Sequence, residues 1–323
     1  MRPPQPRPVR RQQRNPNFLT QLFRNTRGPK LACVFFVRVE TQQACFQHSL
    51  GRQTFRQDRH LHRTAWLIAF CCGCALLCVG SARAAGWQST LTKDPPAFPP
   101  LRSLRASYAF GWSGFTAATG EAHFTKTPAN RFQLDGTGGT VGLARTLWKL
   151  DANGRALADA DTLRPVELKQ TESYRSKDIT THLTFKEGGV TSERTEGTAS
   201  KNREFSFPSL YELNSAMLYL RSQSLKDGSA CRVVVYPQTS AYLATVTVTR
   251  REKLSVRAGT YNAIRLDLKL NRIGKNLELE PYRKFRRATI WISDDSDRLL
   301  LRIEAHIFIG TVFAELQSVH FEN

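Results

Sequence analysis

The sequence predicts a mainly β protein, built as a single curved antiparallel β-sheet, a β-roll or a partly open barrel with one or two short helices. Three observations predict it. From about residue 104 apolar and polar residues alternate with period two; Gly, Asn and Asp punctuate the alternation; and one stretch alone carries a clear helical period. Period two is the signature of strands with one face buried, and Asn and Gly accept the positive φ that tight hairpins demand. Sheets twist, so one this long is expected to roll or to close partly.

In order, the first half gives strands at 107–112, 121–125, 131–135, 147–150, 166–171, 180–185 and 190–195. Turns are expected at Asp151-Ala152-Asn153-Gly154 and Glu187-Gly188-Gly189. A short segment, 141–149, fits a helix or a strand equally. The clear helix is 214–222, led in by Phe207-Pro208-Ser209-Leu210-Tyr211-Glu212-Leu213, with Leu210, Leu213, Met217 and Leu220 three or four apart on one face. After Gly228 the alternation strengthens at 232–236, 242–250, 263–270, 288–292, 299–309 and 312–319, which places the core in the second half. Ala258-Gly259-Thr260-Tyr261-Asn262-Ala263 reads as the hairpin turn between strands 253–256 and 264–270.

The chain of 323 residues is 41% hydrophobic, enough to bury a core, and carries a net charge of +20. That charge is uneven. Residues 1–84 hold 14 Lys and Arg against 2 acids, and the remainder holds 33 against 25. Residues 1–58 form a basic segment without periodicity and are expected to be disordered. Residues 59–84 have the three parts of a secretory signal: a basic start (Arg59, His60, His62, Arg63), an apolar run at 65–79, and Ala82-Arg83-Ala84, which fits the small-x-small pattern and predicts cleavage after Ala84. The run is shorter than the roughly twenty residues of a spanning helix. A signal is normally N-terminal, so the expected translation start is a non-AUG codon near Leu61. Residues 85–103, with Pro95-Pro96 and Pro99-Pro100, read as a linker, and 104–323 as the all-β domain. Six of the seven cysteines (Cys33, Cys45, Cys71, Cys72, Cys74 and Cys78) precede residue 80, so Cys231 has no disulfide partner in the domain.

Several adjoining segments resemble one family of bacterial envelope proteins, catalogued as domain of unknown function 3108. They are Tyr108-Ala109-Phe110-Gly111-Trp112 with Gly120-Glu121-Ala122, Leu163-Arg164-Pro165, Ser215-Ala216-Met217-Leu218-Tyr219-Leu220-Arg221-Ser222, Ala258 to Ala263, and Ile290-Trp291-Ile292-Ser293-Asp294-Asp295 leading to Arg302-Ile303-Glu304. The resemblance spans about 104–319 and implies an exported, mostly β domain. It implies no catalytic residues. A basic insertion at 276–287 departs from it.

Catalytic signatures are missing from the text. There is no G-x-S-x-G, no phosphate-binding loop and no H-E-x-x-H, and His123, His182, His306 and His320 are scattered singly, so neither a metal nor a cofactor is expected. Asp294-Asp295-Ser296-Asp297 lacks calcium-loop spacing and reads as a turn capped by its own carboxylates, as does the Asp159 and Asp161 pair. Arg221 is expected to bond a backbone carbonyl or a carboxylate such as Glu304. The ligand-binding residues expected are the basic-aromatic run Arg272, Lys275, Tyr282, Arg283, Lys284, Phe285, Arg286 and Arg287, since clustered guanidinium groups bind phosphate or carboxylate bidentately. The alternative is a solvated loop that blunts a strand edge. Expected partners are an envelope lipid or acidic glycan with peripheral membrane contact, and no nucleic acid. The resulting expectation is an exported, periplasmic, non-enzymatic binding or scaffolding domain. Its rival is a cell-envelope hydrolase using acids such as Glu304, Asp294 or Glu315.

Overall fold

The computed structural model describes residues 86–93, 101–174, 177–282 and 287–322. The expectations for 1–84 and for the two proline doublets fall outside the described residues. Strand alternation builds one sheet from β1 (Leu104–Trp112), β2 (Phe115–Thr127), β3 (Arg131–Thr140), β4 (Leu150–Asp159), β5 (Pro165–Tyr174), β6 (Lys177–Lys186), β7 (Gly189–Glu196), β8 (Ala199–Ser206), β9 (Leu210–Tyr211), β10 (Ala230–Val235), β11 (Tyr242–Val256), β12 (Gly259–Ile273), β13 (Leu279–Pro281), β14 (Arg287–Ser293), β15 (Leu300–Ile307) and β16 (Gly310–Phe321). Two short helices interrupt them, α1 (Gly142–Leu147) and α2 (Leu213–Ser222), after a 3-10 turn at Trp87–Thr90.

The strand order is β8-β7-β6-β5-β4-β3-β2-β1-β16-β15-β14-β12-β11-β10-β9, with β13 beside β12. Two meanders therefore run outward from a central pair, and that pair joins the first strand to the last. Every pairing is antiparallel except β9 with β10. The sheet does not close: its two ends are β8 and β9. It rolls until its halves touch. Leu168 and Leu183 of β5 and β6 bury against Val234 and Leu243 of β10 and β11, and across the seam the Ser192 hydroxyl donates to the Gln238 carbonyl at 2.6 Å.

Helix α2 fills the inside of the roll. Its start is a reciprocal cap: Glu212 accepts from the backbone N–H groups of Asn214 (2.7 Å) and Ser215, and the Ser215 hydroxyl accepts from the Glu212 N–H at 3.0 Å. Leu218 buries in the cluster with Phe124, Leu301 and Leu316, while Tyr219 and Leu220 bury in the cluster with Val233, Ile264 and Ile292. Sheet therefore surrounds it on more than one side. This corrects the single apolar face read from the sequence, since Leu213 is exposed and Leu210 belongs to β9.

Other corrections have similar causes. The ambiguous segment 141–149 is the short helix α1. Asp151-Ala152-Asn153-Gly154 is strand and not turn, because the missing Cβ at Gly154 admits the Lys169 carbonyl, which would lie 3.1 Å from one. The runs 242–250 and 253–256 are one strand, β11, with a register shift between Val248 and Arg250. The core is shared by both halves, since the buried clusters around Leu163 and Leu183 draw on strands from each. The turn at Glu187-Gly188 stands where the sequence puts it, whereas the hairpin turn read at Ala258 to Ala263 is confined to Arg257-Ala258, because Gly259 to Ala263 already pair with β11 as the start of β12.

Candidate functional site

Inside the roll, between α2 and the central strands, lies a cavity of about 260 Å³. Period two on β1 turns Leu104, Ala106, Tyr108 and Phe110 to it, and helical spacing on α2 turns Asn214, Met217, Leu218 and Arg221 to it. Phe124 and Leu134 from β2 and β3, and Ile303, Ala305, Val312 and Ala314 from β15 and β16, complete an apolar wall. Register shows its direction. Leu104 pairs with Phe124 at one end, and Phe110 with Ala314 and Val312 with Ala305 at the other, so the cavity runs along the strands.

Arg221 supplies the cationic group of this wall. Its Nη2 donates to the Asp297 carbonyl at 2.6 Å, its guanidinium lies 5.9 Å from the centre of the Phe124 ring, and its Nε is shut from solvent with no hydrogen-bond acceptor. Burial pulls its pKa below the ordinary arginine value, against the fields of Tyr108, Asp297 and Asp295. The carbonyl partner agrees with the sequence expectation, whereas the Glu304 partner does not: Glu304 bonds Arg302 at 2.5 Å. Tyr108 donates to the Leu300 carbonyl at 3.0 Å, and burial pushes its phenol up to about 12, so it stays protonated. The cavity therefore offers an apolar channel, one guanidinium with an unused N–H, and a neutral hydroxyl.

The basic-aromatic run lies elsewhere, where β12 ends and β14 begins. Arg272 faces Glu280 at 3.5 Å, Arg287 faces Asp267 at 3.4 Å, Tyr282 meets the Tyr242 ring edge-on with centroids 5.4 Å apart, and Lys275 is exposed. Arg283, Lys284, Phe285 and Arg286 lie outside the described residues.

The acids weighed for hydrolysis are engaged by arginines. Glu304 and Glu315 flank Arg302 at 2.5 and 3.3 Å, and Asp294 meets Arg251 at 2.9 Å. Asp295 caps its own turn, accepting from Ser293 Oγ at 2.7 Å and from the N–H groups of Asp297 and Arg298 at 3.0 Å. Asp159 does the same for Asp161 and Thr162. His123 bonds Glu322 and His182 bonds Glu167. Among the described residues no three His, Cys, Asp or Glu side chains gather as metal ligands do.

No curated protein matches the chain. Among solved structures it is similar to a beta-barrel-like protein of domain of unknown function DUF1849 from Brucella abortus, at 9% identity over 69% of this chain and 99% of that one, with a TM-score of 0.49. It is also similar to a DUF1089 family protein from Pseudomonas aeruginosa, at 11% identity over 59% and 90% with a TM-score of 0.32. A third, described as a candidate exported protein with a YmcC-like fold from Bacteroides fragilis, shares 8% identity over 70% and 99% with a TM-score of 0.29. Likenesses so distant carry no argument about function. The family is decided by sequence: residues 105–317, from β1 into β16 and including every cavity wall beyond Leu104, match the family described as Protein of unknown function (DUF3108), and the chain belongs to it.

Proposed function

We propose that the protein is an exported, non-enzymatic binding domain of the cell envelope that holds a single acyl chain, with the anionic head of that chain on Arg221. The observation that carries the reading is the apolar cavity of about 260 Å³ bordered by an arginine whose Nε lacks a partner. A buried N–H left unbonded costs about 1–3 kcal/mol, and a carboxylate or phosphate oxygen removes that cost. The volume is just under the roughly 300 Å³ at which ordinary ligand pockets begin, which suits one chain better than two. Apolar walls favour lipid over glycan, because a sugar would leave its hydroxyls unbonded against them.

Export rests on the signal-like segment 59–84, with cleavage after Ala84 into the periplasm. Residues 86–93, just beyond that point, are docked on the domain: Trp87 stacks on Phe207 with centroids 5.5 Å apart and donates to the Leu277 carbonyl at 2.8 Å. A mature chain starting at Ala85 would keep this contact.

Native mass spectrometry of the protein recovered from exporting cells, with organic extraction of the same sample, tests the reading. The expected result is a co-purifying single-chain acyl acid, rebound by the delipidated protein. A clean apo mass, together with no uptake of a fluorescent fatty acid, would remove it.

A further inference from the structure

The cavity has a cationic end and an aromatic end, and β15 runs between them. Arg221 stands where that strand begins: its Nη2 bonds the Asp297 carbonyl, in the turn that leads into β15, and its guanidinium lies beside Phe124. The other end of β15 passes into the turn at Phe308 and Ile309, and eight residues of strand put about 25 Å between the two ends. An acid held by its head on Arg221 lays its chain along the strands toward that turn. Whatever side chain stands there fixes how much chain fits.

Phe110 is that side chain. Across the sheet its register row reads Ile303, Ala314, Phe110, Ala118, so one aromatic ring projects between two methyl groups. The ring does not lie along its own strand. It leans over β2 onto Gly120, which pairs with Tyr108 and so lies nearer the Arg221 end, and a Cβ on that glycine would sit 3.1 Å from Phe110 Cε2. The ring plane is tilted 37° to that of Tyr108, with centroids 6.4 Å apart. Period two makes Trp112 the next side chain of β1 on this face, paired with Val312 of the cavity wall. Its indole is drawn across the β15–β16 turn: Nε1 donates to the Ile309 carbonyl at 3.0 Å, and a Cβ on Gly310 would lie 2.8 Å from that nitrogen. A ring leaning into the cavity is thus backed by a second ring tied over its end.

We propose that Phe110, backed by Trp112, is the end-stop of the acyl site, and that the protein selects its ligand by chain length. This rests on the acyl-chain reading above and adds the residue that measures the chain. Each methylene buried along the apolar wall strengthens binding about fourfold, and one that reaches Phe110 finds no further room. Saturated fatty acids of increasing length, from octanoate to docosanoate, are titrated into the delipidated mature protein by displacement of a fluorescent fatty acid. Affinity is expected to climb by that factor per methylene up to a break, and to climb no further beyond it. In Phe110→Ala the break moves to longer acids, so that the acid two carbons past the wild-type break binds the variant about tenfold tighter than it binds wild type. In Ala314→Leu, which fills the space beside the ring, the break moves to shorter acids. This second variant adds bulk to a cavity wall, so the test stands even if Phe110→Ala folds poorly. A break at one length in wild type and both variants would overturn the end-stop and leave the acyl-chain reading in place; a loosened fold would give that result, weakening every acid by the same factor. Wild-type protein that takes up no acid of any length would overturn both.

Discussion

Arg221 and Glu212, on the same helix, test burial in opposite ways. A guanidinium drawn into an apolar wall with one N–H unused is costly to a protein that holds nothing, and replacing such a group by an apolar one of similar volume is often neutral or stabilising. Arg221→Met should therefore leave the urea midpoint of the delipidated protein unchanged or raised, while weakening fatty-acid binding about tenfold to a hundredfold, the worth of a charge-assisted hydrogen bond. A merely structural arginine would reverse that split, lowering the midpoint and sparing the binding. Glu212 is buried at the start of α2, and burial outweighs its hydrogen bonds to Asn214 and Ser215, lifting its pKa to about 6. Between the unfolded value and about 6 the native state holds the extra proton, so stability from this group is full below about pH 4.5 and falls as pH rises through 6, by on the order of 2 kcal/mol. Glu212→Gln keeps one of the two oxygens that accept from Asn214 and Ser215, so its midpoint should be lower throughout, and it removes the titration. Its stability curve, from urea midpoints across that window, should lose this slope; an unchanged slope would assign it to another group.

At the scale of elements, period two was the most readable signal, because most strands bury one face and expose the other. Besides β4, read partly as a turn, the outermost strand shows why it failed. Every residue of β8 is exposed except Phe205, so Ser200-Lys201-Asn202-Arg203-Glu204 carries no alternation, and its charges suit an edge that must not pair further. The proline-flanked segment before β1 was readable as irregular but not as docked. Residues 86–93 cover the edge of β10: the Thr92 N–H donates to the Arg232 carbonyl at 2.9 Å and its hydroxyl accepts from the Arg232 N–H at 2.8 Å, with Trp87 as the anchor. Trp87→Ala should release this strap, costing about 1–3 kcal/mol for the lost aromatic burial and indole hydrogen bond, and the Arg232 amide should exchange with deuterium faster while amides of β1 and β16 do not. Equal acceleration at all three would mean general destabilisation. The cavity was legible only in pieces. Tyr108 and Arg221 both lie in segments quoted for the family resemblance, yet they are 113 residues apart in sequence, and what brings them to one wall is the rolling of the sheet around α2.

For the whole molecule, the decisive feature is that the chain's last strand lies in the middle of its sheet. β16 pairs with β1 on one side and β15 on the other, so it is the one link in the ladder between the β1–β8 meander and the β9–β15 meander. It also supplies Val312, Phe313 and Ala314 to the cavity and Leu316, fully buried, to the core shared by the two halves. Neither meander is self-sufficient: helix α2 buries Leu218 among residues of β1 to β4, and Tyr219 and Leu220 among those of β10 to β14. A pairing between strands separated by nearly the whole domain is slow to form, because its loop-closure entropy comes before any of its contacts. Removal of residues 310–323 should therefore abolish cooperative folding outright, where loss of an outer strand would trim an edge. Cys231 provides the readout: it is buried on β10, far along the sheet from β16, it is the one cysteine after residue 84, and burial raises its thiol pKa to about 11, so it reacts only through opening of the fold. In the intact mature protein a thiol reagent should label it at the rate of global unfolding, and in the truncated chain at the rate of a free thiol. If truncation left Cys231 protected, the second meander would fold by itself, and the central pair would be a docking contact between two units rather than the join on which one fold depends.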